Sequence, residues 1–306
     1  MNQIRNSFIL LLTATIWGVA FVAQSVGMDY VGPFTFLCVR SVIGGIFLIP
    51  CIAVLNKINP PSPEEARKQA DKKVLITGGI CCGTALCVAS AFQQIGIMTT
   101  TVGKAGFITA FYIIFVPILG LFFKKRCGIL VWISVIIALA GLYFLCMKES
   151  FTVEKGDLLV FLCALCFSAH ILVIDHFSPR TNGVKMSCIQ FFVCGFLSAI
   201  PMILFEHPQM NLIFAAWKPI LYAGVLSSGV GYTLQIIGQK GMNPTIASLI
   251  MSLESVISVL AGLIILHQKL SARETLGCVL MFIAIILAQI PVSAPKKSSV
   301  THKRTV

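Results

Sequence analysis

The chain has 306 residues, 57% hydrophobic and 11% charged, with a mean hydropathy of +0.93. Soluble domains carry roughly 25% charge, so a soluble enzyme of this length would lack the charge to cover its surface, and the same numbers exclude disorder. The net charge of +12 is scattered between apolar blocks, which reads as membrane topology and not as nucleic-acid binding.

A spanning helix needs about 20 mostly apolar residues. Ten blocks qualify: 7–26, 33–54, 74–97, 101–123, 128–147, 157–176, 186–206, 217–237, 244–266 and 274–292. The first follows Arg5, but it is long, contains Trp17 and lacks a small-x-small exit, so it is read as a span and not as a cleaved signal peptide. The longest link, 55–73, is Pro-rich and charged; the tail from Pro295 is basic and expected to be disordered. With the N-terminus inside, the inside segments hold 16 Lys and Arg and the outside loops 6, which predicts both termini in the cytoplasm.

On the first helix Thr13, Trp17 and Gln24 share a face, with Phe21 beside them. Trp17 lies mid-span, away from the interface where aromatic belts sit, so it suits a pocket or core packing. On the second helix Arg40 either snorkels to the interface or lines a cavity, where it pairs with Glu254 or holds a carboxylate. Lys104 opens the fourth helix. Phe107, Phe111 and Phe115 fall within about 60° of it and Tyr112 within about 80°. This is a cationic and aromatic wall for a solute, or an interfacial lysine over core rings. Pro117 and Pro201 lie inside spans and free backbone carbonyls for kinks.

His170 in the sixth helix, and Asp175-His176 at its end, are titratable. Gln235 and Gln239 in the eighth read as helix–helix hydrogen bonds or ligands. The ninth helix carries Glu254 near its middle, where an ionisable group costs roughly 2.5–3.5 kcal/mol. Ser248, Met251, Ser252, Ser255 and Ser258 share an arc of about 160° with it. Leu249, Leu253, Val256, Ile257 and Leu260 form the opposite, lipid-like arc. Glu254 is therefore a cavity acid for solute or proton, or a buried acid with a local partner.

The chain also repeats. A shift of 150 places Trp17 on Phe167, Cys38 on Cys188, Arg40 on Gln190 and Gly45 on Gly195. A shift of 144 places Gly79, Gly83 and Cys87 on Ala223, Ser227 and Gly231, a spacing that lets helices approach closely in lipid. Five helices per half is an odd number, so the halves run in opposite directions, as in inverted-repeat transporters. The twelve cysteines lie mostly inside apolar blocks and do not form a disulfide framework; Cys163-x-x-Cys166 reads as buried small hydrophobes. No Walker loop, H-E-x-x-H or G-x-S-x-G is present.

Residues 16–24 (IWGVAFVAQ), 33–41 (PFTFLCVRS), 103–120 (GKAGFITAFYIIFVPILG) and 252–266 (SLESVISVLAGLIIL) resemble the EamA family of the drug/metabolite transporter superfamily. The likeness runs over about residues 7–292. It implies an all-α membrane protein of ten transmembrane helices as two inverted five-helix repeats, residues 7–147 and 157–292, followed by a basic cytoplasmic tail at 293–306. It also implies an inner-membrane location, a central cavity, and export or uptake of amino acids, metabolites or drugs by alternating access. Many members have Gly-Glu after helices four and nine; here those positions are Phe123-Lys124 and His267-Gln268.

The expected cavity residues are Thr13, Trp17, Gln24, Arg40, Lys104, Phe111, Tyr112, Ser252, Glu254 and Ser255, with Glu254 as the coupling site. No cofactor, metal or nucleic-acid partner is expected. The partners are a small-molecule solute and the lipid bilayer, with a homodimer left open. A solute-selective channel and, further off, an integral membrane enzyme are the alternatives.

Overall fold

Apolar blocks of this length fold as helices because lipid leaves every backbone group to be satisfied inside its own segment. The computed structural model describes residues 2–58, 71–100, 102–123, 128–146, 154–265, 271–288 and 290, and every element among them is helical. The first half holds α1 (Asn2–Met28), α2 (Pro33–Ile58), α3 (Lys72–Ile97), α4 (Val102–Thr109), α5 (Tyr112–Phe122) and α6 (Ile129–Cys146). The second holds α7 (Lys155–Phe177), α8 (Gly183–Phe205), a short α9 (Met210–Ala215), α10 (Trp217–Leu221), a π-helix (Tyr222–Tyr232), α11 (Thr233–Gln239), α12 (Pro244–Met251), α13 (Glu254–Ile265) and α14 (Ala272–Ala288). Among the described residues seven helical stretches are long and apolar enough to cross a membrane, and three more, Ile129–Phe144, Pro244–Ser258 and Thr275–Ala288, are apolar but shorter.

Local chemistry sets the starts. Asp71 caps α3 by accepting from the Lys73 and Val74 amides. Glu154 and Asp157 form a capping box on α7, and Asn182 and Asn243 cap α8 and α12. Gly241, at φ 75°, makes the tight turn between α11 and α12. Glu206, at the end of α8, caps a helix of the other half. Its carboxylate accepts from the Phe34 and Thr35 amides at 2.8 and 2.6 Å and from the Thr35 hydroxyl at 2.7 Å.

Packing is reciprocal between the halves. α2 lies against α8 and α6 against α14; α3 packs on α7, as the π-helix and α11 pack on α1. The polarity is that of a molecule made for lipid. Phe8, Leu12, Ile46, Phe196, Ile203, Ile136 and Ile286 are exposed, while Thr13, Arg40, Ser90, Gln94, His170, Gln190 and Glu254 are buried. Gly79 and Gly83 of α3 bring its backbone against Ile189, Val193 and the Gln190 carbonyl of α8.

Two expectations change. The fourth and ninth blocks are not single helices: each breaks, at Ala110-Phe111 and at Ser252-Leu253. Pro117 and Pro201 lie inside α5 and α8. Leu249, Leu253 and Val256, assigned to a lipid-like arc, are fully packed inside. The 100° wheel behind that arc does not hold across a break. The tail at 293–306, the middle of the charged link, Lys124-Lys125-Arg126 and His267-Gln268 lie outside the described residues.

A candidate solute cavity between the two halves

The breaks and the π-helix converge on one cavity lined by both halves. α1 contributes Trp17, Phe21 and Gln24, α2 Arg40, α3 Gln93, and the α4–α5 break Thr109 and Tyr112. From the other half come Phe167 and Ile171 on α7, Ser227 and Tyr232 on the π-helix, Gln235 on α11, and Met251 and Glu254 at the α12–α13 break. The wall is mostly apolar, with a few convergent polar groups, as small-molecule sites are.

The π-helix is the least ordinary element. Its i→i+5 spacing redirects carbonyls and small residues toward α1. Trp17 Nε1 donates to the Ser227 carbonyl at 3.5 Å, and the Trp17 ring meets Tyr232 at 4.6 Å between centroids. A Cβ at Gly231 would stand 2.8 Å from Trp17 Nε1, so a glycine is what admits the indole there.

Arg40 is 3% exposed, and its Nε has no hydrogen-bond partner. The guanidinium lies 6.0 Å from the Phe36 ring centre. A buried, unsatisfied cation on a cavity wall is a docking point for an anion, because leaving it unpaired is costly. Glu254 does not neutralise it by a hydrogen bond: its Oε1 instead accepts from the Tyr112 hydroxyl at 3.1 Å. Gln24 and Gln235 each present an Oε1 with no partner, while Gln93 Nε2 donates to Thr109 Oγ1 at 3.3 Å. The wall therefore offers one cation, one acid and two free amide acceptors.

Of the ten residues expected here, the structure brings Trp17, Gln24, Arg40, Tyr112 and Glu254 together. Four others lie off this wall. Thr13 donates to the carbonyls of Ile9 and Gly231 and so ties α1 to the π-helix. Ser252, just past the end of α12, donates to Leu249 O on that helix, and Ser255 donates to Gly106 O on α4. Phe111 packs edge-on against Phe107 and Phe161. Ser248, Ser252 and Ser255 are polar in sequence but their hydroxyls are spent on backbone carbonyls. The Lys104 side chain lies outside the described residues.

Sequence reading missed Gln93, Thr109, Ser227 and Tyr232 as wall residues. The small-residue run Ala223–Gly231 was the available signal for the last two. His170, singled out as titratable, sits just behind the wall, with Nε2 3.0 Å from Gln190 Oε1 and its ring edge-on to Tyr232. Among the described residues no cluster of His, Cys, Asp or Glu could hold a metal ion.

The EamA-like transporter family matches this chain twice, over residues 5–147 and 154–289. An uncharacterized transporter of Archaeoglobus fulgidus is 29% identical over 289 residues, covering 92% of this chain and 85% of the relative. The uncharacterized transporter YoaV of Bacillus subtilis is 20% identical, covering 91% of this chain and 94% of the relative. One solved crystal structure superimposes with a TM-score of 0.75 at 18% identity, over 94% of this chain and 97% of its own; that likeness shows the fold alone.

Proposed function

The chain belongs to the EamA-like transporter family and is a multi-pass membrane protein, and from that premise we propose that it is a secondary transporter that exports small organic solutes bearing a carboxylate. Amino acids, metabolites and drugs all include such molecules. The observation that carries this reading is Arg40, buried on a cavity wall with its Nε unpartnered and Glu254 bonded elsewhere. A guanidinium takes a carboxylate in two parallel hydrogen bonds, a geometry that lysine lacks. The aromatic wall of Trp17, Phe167 and Tyr232 would take the apolar part of the solute.

In this reading ten helices form two inverted five-helix repeats, residues 7–147 and 157–292. The double family match and the reciprocal packing of the halves support it. The cavity lies where the halves meet, and alternating access exposes it to each side in turn. Glu254 is the coupling site, holding a proton in part of the cycle. The Lys and Arg asymmetry supports both termini in the cytoplasm, and an inner-membrane location is what the family likeness implies. The named relatives are transporters, in keeping with transport rather than catalysis.

The test is uptake into inside-out vesicles from a pooled mixture of amino acids and other carboxylates, read by mass spectrometry. Wild type accumulates one solute class. Arg40→Gln lowers that uptake by about tenfold or more, and Arg40→Lys recovers only part of it. Equal uptake by wild type and both variants would remove Arg40 from the mechanism.

A further inference from the structure

The two broken helices match each other closely. One offset of 142 residues takes Val102 to Pro244, Thr109 to Met251 and Tyr112 to Glu254, which are the start, end and restart of each broken helix. The hydrogen bonds repeat at the same offset. Phe111 N donates to Ile108 O at 3.1 Å, as Leu253 N does to Ile250 O at 3.2 Å. Ile113 N donates to Ala110 O at 3.0 Å, as Ser255 N does to Ser252 O at 3.1 Å. All four are i→i−3 bonds, so each break is one tight turn set inside an α-helical run.

Neither Ala110-Phe111 nor Ser252-Leu253 contains proline or glycine. A mid-helix 3₁₀ turn of this kind marks a hinge or a strained sequence. The residues that restart the two helices are bonded to each other: Tyr112 of the first half donates to Glu254 of the second, both fully packed.

We propose that Tyr112 is a positioning residue that couples the two turns through Glu254, so that neither opens while their hydrogen bond holds. The carboxylate ties the restart of α13 to the restart of α5, and so each hinge restrains the other. A hydrogen-bond donor on the solute that takes the Glu254 carboxylate displaces the Tyr112 hydroxyl and releases both turns together. This rests on the carrier reading above, to which it adds a way for one cavity contact to be felt in both halves.

The experiment is hydrogen exchange by mass spectrometry on the full chain in lipid nanodiscs, without solute. It follows peptides that cover 108–113 and 250–255. Tyr112→Phe keeps the ring and removes the donor; exchange rises about three- to tenfold at both turns, the range set by one interhelical hydrogen bond. Glu254→Gln keeps a carbonyl acceptor and stays within about twofold of wild type, because the Tyr112 hydroxyl still has a partner. Glu254→Leu matches Tyr112→Phe, and the double variant exceeds neither.

Tyr232→Phe, on the same cavity wall, leaves both turns unchanged. Faster exchange at 108–113 alone, no change at either turn, or additive single effects would overturn the coupling. Should Glu254→Leu fail to fold, the contrast between Tyr112→Phe and Glu254→Gln decides the question alone. Because exchange is read without solute, an absence of uptake counts against the carrier reading, whereas loss of the paired response counts against the latch.

Discussion

Gly18 on α1 is where the first helix touches the restart of α13. A Cβ there would lie 2.7 Å from the Glu254 carbonyl oxygen and 2.7 Å from Ile257 Cβ, whereas ordinary contact begins at 3.4 Å. Gly18→Ala therefore forces these groups apart by the difference, about 0.7 Å. Neither is the free end of a flexible side chain, so the helices themselves must move. Such overpacking costs typically about 1–3 kcal/mol. Set against it is the helix propensity that alanine gains over glycine, about 1 kcal/mol.

Gly106 on α4 supplies the control. It faces the same helix, but a Cβ there meets only Ser255 Oγ, at 3.9 Å. Gly106→Ala gains the same propensity without the clash. The difference between the two variants thus isolates the steric cost, at about 1–3 kcal/mol. The assay is reversible unfolding in detergent–SDS mixtures, followed by tryptophan fluorescence, with Gly18→Ala the less stable of the pair. Equal stabilities, or the opposite order, would refute the close approach of α1 to Glu254.

Two further outcomes follow from the same geometry. Glu206→Ala removes three hydrogen bonds from the start of α2 and lowers stability by about 1–3 kcal/mol in the same unfolding assay, with little change in uptake per folded molecule. Glu254→Gln cannot release a proton; in vesicles with and without an imposed pH gradient it still moves solute, but the gradient no longer changes the rate, while wild type responds to it.

The apolar blocks were legible because lipid imposes a length and a composition that few other environments ask for. Glu254, Arg40 and Trp17 were legible for the opposite reason: each is out of place inside an apolar span, and each lies on the cavity wall. The helix breaks were not legible. Ala110-Phe111 and Ser252-Leu253 carry no proline or glycine, and a helix wheel presumes the unbroken 100° step that a tight turn violates. Ser252 and Ser255 misled for a related reason. A serine stripe looks like a wet face, yet Ser252 bonds a carbonyl three residues back and Ser255 bonds a carbonyl on α4. Gln93 and Tyr232 reach the wall through tertiary packing, and Glu206 caps a helix of the other half, far away in sequence. Such contacts leave no local pattern.

The most direct test of the carrier account is counterflow. Proteoliposomes are preloaded with the solute class found in the uptake screen, and entry of the labelled solute is followed against empty vesicles. A carrier with one alternating cavity predicts faster labelled entry into the loaded vesicles, abolished with Arg40→Gln. Entry that ignores the internal solute and runs down its gradient in both preparations would contradict alternating access and leave a channel in its place.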